Sequence, residues 1–230
     1  MPSKGVLYIV STPIGNLEDI TFRAIRILKE SPLIAAEDTR RTKKLLSHYK
    51  LETKTISYFE HNSFARIPKL INHLNSGEDL ALVSDAGTPG ISDPAYRLIR
   101  AAIDSNFLVQ SIPGPSAFLT ALVCSGLPTD RFIFEGFLPH KKGRKGKLEK
   151  IKDIDATVIY YESPNRIKKT LNDILKYVGD RPAVICRELS KKFEEIFRGK
   201  VSELLNNFNN VKAKGEFVIM IAKDDKNVYF

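Results

Sequence analysis

The feature that most constrains this chain is a regular exchange between two kinds of segment: short, β-branched apolar runs, and longer stretches with apolar residues at helical spacing. Residues 6–10, 33–36, 55–58, 80–84 and 108–112 have the length and composition of buried strands. Residues 21–29, 42–49, 65–75 and 96–104 place apolar side chains three and four apart, which gathers them on one helical face. Strand followed by helix, repeated, predicts a mostly parallel sheet, because parallel neighbours need a crossover and a helix supplies it.

Turn residues at 125–129 (Ser-Gly-Leu-Pro-Thr) interrupt that pattern. Beyond them strands are predicted over 132–137, 156–162, 183–189 and 216–222, with helices over 166–177 and 201–208. The expectation is an α/β protein of two lobes, residues 1–117 and 118–230, with a seam near residues 115–130. Each lobe should hold a mixed or mostly parallel sheet flanked by helices.

Composition narrows the function classes. A content of 43% hydrophobic and 27% charged residues is that of a folded globular chain. No stretch approaches the ~20 apolar residues needed to cross a bilayer, and the first apolar run is too short for a signal-peptide core. A cytoplasmic protein with no membrane partner is therefore expected. Cys124 and Cys186, far apart and in apolar surroundings, are expected as buried reduced thiols. They form no ligand spacing with His48, His61, His73 or His140, so no metal site is expected. Thirty-six Lys and Arg against 27 Asp and Glu give a net charge of +9, which suits a polyanion or an anionic small molecule.

Chemistry-bearing residues gather at the ends of the predicted strands. Neither a P-loop nor a G-x-G-x-x-G follows the first strand, which weighs against nucleoside triphosphates and the common dinucleotide site. Ser-Thr-Pro-Ile-Gly-Asn at 11–16 stands there instead, and Asn16 or Asp19 would cap the next helix. Residues 84–94, Ser-Asp-Ala-Gly-Thr-Pro-Gly-Ile-Ser-Asp-Pro, form a stiff polar loop without Lys or Arg, suited to a neutral or cationic ligand. Pro-Gly-Pro-Ser-Ala at 113–117 ends a strand and opens a helix, with Pro115 fit for its first turn. Glu37 and Asp38 precede Arg40, Arg41, Lys43 and Lys44. That arrangement reads equally as a proton acceptor beside phosphate-binding groups or as a capped helix start. A charge-dense loop is expected at 140–150, carrying Lys141, Lys142, Arg144, Lys145, Lys147 and Lys150.

Taken in order, eight motifs resemble one family. They are Thr-Pro-Ile-Gly-Asn-Leu at 12–17, Ala-Glu-Asp-Thr-Arg at 36–40, His-Asn at 61–62, Ser-Asp-Ala-Gly-Thr-Pro at 84–89, Ile-Pro-Gly-Pro-Ser-Ala at 112–117, Glu-Gly-Phe-Leu-Pro at 135–139, Tyr-Glu-Ser-Pro at 161–164 and Arg-Glu-Leu at 187–189. The pattern, running from about residue 5 to 222, is similar to that of the small-subunit ribosomal RNA methyltransferase I family of the tetrapyrrole methylase superfamily. The resemblance implies two α/β domains with S-adenosylmethionine in the cleft between them, usually in a homodimer. It further implies 2′-O-methylation of a decoding-site cytidine in 16S ribosomal RNA of the 30S subunit.

By motif position, Pro13, Asp85, Gly87, Thr88, Ser116, Ala117, Tyr161, Glu162, Leu189 and Gly215 match the family's cofactor loops. For a hydroxyl acceptor, Glu37 and Asp38 are the candidate proton acceptors, with His61 behind them. Arg40, Lys141, Lys142, Arg144 and Lys145 are the candidates for holding RNA phosphates. Ala95, Asn165 and Ser190 depart from the family's usual Gly, His and Thr. The chain ends soon after its last predicted strand, so RNA grip is expected from the two lobes. Two rivals are a methyltransferase acting on an acidic tetrapyrrole and a non-catalytic RNA-binding protein on the same fold.

Overall fold

A computed structural model describes residues 4–208 and 214–230. The chain divides into two compact units, residues 1–116 and residues 117–230.

The first unit contains strands β1 (Val6–Val10), β2 (Leu33–Ala36), β3 (Lys54–Ser57), β4 (Leu80–Val83) and β5 (Leu108–Ile112), with helices α1 (Phe22–Glu30), α2 (Thr39–His48), α3 (Ser63–Asn75) and α4 (Ala95–Asp104). The strands lie in the order β3-β2-β4-β1-β5, all parallel. Successive residues of a strand point to opposite faces, and both faces are covered. Leu7, Ile9, Ala35, Leu80 and Leu82 pack with Leu70 and Leu74 of α3 and Leu98 and Ala102 of α4. Val10, Ile34, Ala36, Ala81 and Val83 pack with Ala24, Ile27 and Leu28 of α1 and Leu45 and Leu46 of α2. This is why β4 reads as an unbroken apolar run: all four of its residues are buried.

Caps set the helix starts. The Thr21 hydroxyl accepts the Ala24 amide at 3.1 Å, and the Asp38 carboxylate accepts the Arg40 amide at 2.8 Å. The expected start of α2 at residue 42 is therefore corrected to Thr39. Its first turn is polar, and apolar spacing cannot register it.

The second unit contains β6 (Phe132–Phe137), β7 (Thr157–Glu162), β8 (Pro182–Arg187), β9 (Glu195–Lys200) and β10 (Phe217–Ile221), with helices α5 (Ala117–Ser125), α6 (Arg144–Ile151), α7 (Ile167–Tyr177) and α8 (Val201–Asn207). Its sheet, ordered β6-β7-β10-β8-β9, is mixed: β6 and β7 are parallel, and the other pairs are antiparallel. Val158, Tyr160, Ala183, Ile185, Ile219 and Ile221 build a core with Leu148 and Ile151 of α6, Leu171 and Ile174 of α7, and Val201 and Leu204 of α8.

Two elements differ from expectation. The segment expected as a basic loop at 140–150 is largely helix α6, and β9 forms an additional edge strand. Both cysteines are free thiols, Cys186 buried and Cys124 partly so. No helix among the described residues is long and apolar enough to cross a membrane.

Candidate active site

Strand order places the site. The connections leaving β1 and β2 run toward the β3 edge, whereas those leaving β3 and β4 run toward the β5 edge. The carboxyl end of β4 thus lies between two strands whose chains depart the other way, and ligands of parallel sheets settle outside such a reversal. Hydrogen bonds tie the loops found there. Thr12 and Gly87 exchange two backbone bonds of 2.9 Å, joining the β1 and β4 loops. The Thr88 hydroxyl donates to the Pro115 carbonyl at 3.0 Å and accepts from the Ser11 hydroxyl at 3.0 Å, which brings in the β5 loop. A Cβ on Gly114 would sit 2.8 Å from the Ser11 Cβ, so only glycine allows this approach. Asp93 closes the β4 loop by accepting the Gly90 and Ala95 amides at 2.8 and 2.9 Å. Pro13, Asp85, Gly87, Thr88 and Ser116 therefore belong to loops at one end of one sheet, held by hydroxyls and backbone groups.

The β2 loop adds the carboxylates. Asp85 accepts the Asp38 amide at 2.9 Å, its own amide donates to the Glu37 carboxylate at 3.2 Å, and Arg41 reaches Asp85 at 3.4 Å. This geometry separates the two candidate proton acceptors. The Asp38 carboxylate binds the Arg40 side chain at 3.0 Å as well as capping α2, and the guanidinium holds its carboxyl below the usual range. Glu37 is half-buried, and burial pushes its carboxyl up, with Asp85 and Asp93 adding to the rise. Of the two, only Glu37 combines partial burial with a carboxyl raised above its ordinary value. His61 is exposed and meets Phe59 edge-on at 6.2 Å; among the described residues no contact joins it to either carboxylate.

Asp85→Asn keeps an acceptor for the Asp38 amide but removes a charge that raises Glu37. The Glu37 carboxyl, followed by NMR titration, is expected to titrate at lower pH in that variant. An unmoved titration would show that the β2 and β4 loops are electrostatically independent. Arg41, which joins them, carried no separate signal in the sequence because it sits within a run of four cations.

In the second unit, Tyr161 and Glu162 end β7, Leu189 follows β8 and Gly215 precedes β10, all at one end of the sheet because Phe217 pairs with both Glu162 and Arg187. The Phe118 amide donates to the Tyr161 hydroxyl at 3.2 Å, which brings the start of α5, with Ala117, to the same place. Glu188 and Ser190 hold left-handed backbone at φ 51° and 65°, an unusual conformation for side-chain-bearing residues. Gly215 is glycine for a local reason, since its Cβ would lie 2.5 Å from the Glu188 Cγ.

Two of the expected site residues are buried within the second unit. The Glu162 carboxylate is fully buried and engaged by Thr170, Arg166 and the Ser163 amide. Arg144, expected to grip phosphate, is 6% exposed and bound to Asp173 at 2.7 Å, Thr170 at 2.7 Å and the Pro139 carbonyl at 3.2 Å. Lys145 is exposed and reaches Glu149 at 3.6 Å, whereas Lys141 and Lys142 are exposed on the turn before α6. No group of three or more His, Cys, Asp or Glu among the described residues is arranged to hold a metal ion.

A parallel sheet whose strand-end loops carry hydroxyls and carboxylates, joined in one chain to a mixed sheet, is the architecture of a known class: the chain belongs to the family described as Tetrapyrrole (Corrin/Porphyrin) Methylases, which matches residues 6–205. Within that class it is similar to ribosomal RNA small subunit methyltransferase I of Halalkalibacterium halodurans, at 52% identity over 98% of this chain and 78% of the relative. The protein of that name from Thermotoga maritima is 46% identical over 95% of this chain and 98% of its own. Among solved structures, uroporphyrin-III-C-methyltransferase of Thermus thermophilus superposes with a TM-score of 0.68 at 16% identity, covering 96% of this chain and 95% of the other. A second structure of that enzyme, complexed with S-adenosyl homocysteine, gives 0.66 at 17% identity over 94% and 97%. The family resemblance and the fold class read from the motifs are borne out.

Proposed function

We propose that the chain transfers a methyl group from S-adenosylmethionine to the ribose 2′-hydroxyl of a decoding-region cytidine in 16S ribosomal RNA. It acts on the 30S subunit in the cytoplasm, as a homodimer. The observation that carries this reading is Glu37: a half-buried carboxylate with a raised pKa beside loops lined by hydroxyls, in a chain about half identical to proteins named for small-subunit ribosomal RNA. A ring nitrogen with a free lone pair makes less demand on such a group, whereas a neutral ribose hydroxyl attacks well only as its proton leaves.

The loops fit the cofactor. They present hydroxyls, backbone groups and the carboxylates of Asp85 and Asp93, with no Lys or Arg in residues 11–16, 84–94 or 113–116. Such surroundings favour a sulfonium cation over a phosphate. When bound, the cofactor supplies a methyl group open to in-line displacement. The protein's part is to hold both partners in line and to accept the departing proton at the Glu37 carboxylate. Pro13, Gly87, Thr88 and Ser116, and in the second unit Ala117, Tyr161, Leu189 and Gly215, are the residues proposed to contact the cofactor. Exposed Arg40, Lys141 and Lys142 are proposed to hold phosphates.

Incubating unmethylated 30S subunits with the protein and S-adenosylmethionine, then mapping 16S fragments by mass, is expected to show one added methyl on the ribose of a decoding-region cytidine. A methyl on the base, or no incorporation by protein that binds the cofactor, would overturn the reading.

A further inference from the structure

Helix α2 carries Arg40, Arg41, Lys43 and Lys44 within its first six residues and no acidic residue anywhere along its length. All four side chains are exposed. That placement runs against helix electrostatics. The amino end of a helix is its positive pole, so cations there are disfavoured. Arg40 with Lys43 and Lys44, and Arg41 with Lys44, are like charges three and four residues apart, a spacing that repels. The arginines have partners at the strand ends, Arg40 in Asp38 and Arg41 in Asp85. Lys43 and Lys44, one turn on, have no acidic partner among the described residues.

Helix α6, also rich in cations, is treated differently: Arg144 pairs with Asp173, Lys145 with Glu149 and Lys147 with Glu135, so carboxylates offset three of its four cations. Places where a chain breaks a local rule are expected at functional sites. The same helix starts directly after Glu37 and Asp38, the carboxylates of the candidate site.

We propose that the exposed face of α2, led by Lys43 and Lys44, is the track that holds the phosphodiester backbone of ribosomal RNA beside Glu37. This deepens the proposed function and rests on RNA being the substrate. Lys43 and Lys44 set much of the salt dependence of RNA binding, and they do so at a cost to helix stability.

The test is the double variant Lys43→Glu, Lys44→Glu, compared with wild type for binding to unmethylated 16S ribosomal RNA transcribed in vitro. Two lost phosphate contacts should flatten the plot of log affinity against log salt by roughly 1.5 units, at about 0.7–0.9 per contact. The melting midpoint should equal or exceed that of wild type, because glutamates at 43 and 44, three and four residues from Arg40, replace like-charge repulsion with attraction. A slope equal to that of wild type would overturn the track. So would a lowered melting midpoint, which would make the lysines part of the fold. Wild-type protein that neither binds this RNA nor methylates 30S subunits would remove the underlying reading and the track together. Wild-type activity with an unchanged variant slope would remove the track alone.

Discussion

Glu37→Gln is expected to slow methyl transfer by about 10²- to 10⁴-fold, the usual contribution of a positioned proton acceptor. Affinity for S-adenosylmethionine should stay at the wild-type level. The substitution isolates the proton because glutamine retains an oxygen to accept the Asp85 amide, now 3.2 Å from the Glu37 carboxylate. The β2 and β4 loops then keep their tie, and only the titrating group is gone. Burial raises the Glu37 carboxyl, followed by the charges of Asp85 and Asp93. The acceptor works ionised, so the wild-type rate should climb as pH rises through that raised value, and the Gln variant should lack this limb. The stability effect has the opposite sign. A carboxyl whose pKa is higher folded than unfolded favours the fold at low pH and loses that contribution as pH rises through its folded value. At neutral pH the Gln variant should therefore be as stable as wild type or more so, a trade of stability for activity common at catalytic groups. Single-turnover rates across pH, with calorimetry of cofactor binding, check both; full turnover in the variant would remove Glu37 from the chemistry.

Arg144→Ala is expected to destabilise the second unit by about 3–5 kcal/mol, the usual result of removing one member of a buried ion pair. In a chain of this size that lowers the melting transition by roughly 10 °C. Its guanidinium joins α6 to α7 through Asp173 and Thr170, and Thr170 in turn engages the buried Glu162. Without it, Asp173 keeps Lys169 but Thr170 and the Pro139 carbonyl each lose a donor. Burial opposes the Asp173 charge, yet hydrogen bonds from Lys169 and Arg144 outweigh it and hold the carboxyl below its ordinary range. A lowered carboxyl stabilises above its unfolded pKa and loses that contribution as pH falls through the folded value. The Arg144 variant should thus lose part of the acid sensitivity of wild type. Replacing exposed Lys141 and Lys142 with alanine should move stability by no more than about 0.5 kcal/mol. Parallel thermal melts separate the cases, and equal melting of the Arg144 and lysine variants would return Arg144 to the surface.

Those two residues show what the sequence could and could not convey. Strands β1, β2, β5 and β6 run over the residues expected of them: β1 and β2 are unbroken apolar runs, and β5 and β6 keep apolar residues at both ends around Gln110-Ser111 and Glu135-Gly136. Strand β9 was not expected: Glu-Ile-Phe-Arg-Gly-Lys has only two apolar residues, adjacent to each other, among three charges and a glycine, and only Gly199 is buried. Helix α6 resembled a loop because three Lys, an Arg and Gly146 fall among eight residues, with Leu148 and Ile151 as its only buried apolar side chains. The role of Arg144 depends on Asp173, 29 residues away, a pairing no local pattern contains. At the site, residue types at strand ends were legible, but Glu37 and Asp38 were interchangeable on paper. Only the positions of Arg40 and Asp85 divide them, one capping a helix and the other left to titrate.

The placement of β1 has a consequence for how the chain is made. Its neighbours are β4 and β5, so this segment, made before either of them, finds its partners only after Leu80–Val83 and Leu108–Ile112 have emerged. Until then Val-Leu-Tyr-Ile-Val carries both rows of backbone donors and acceptors unpaired, ready to join any other strand it meets. Fragments that stop before β5 should leave one of those rows open and aggregate, whereas nascent chains extending past Ile112 close the sheet around it.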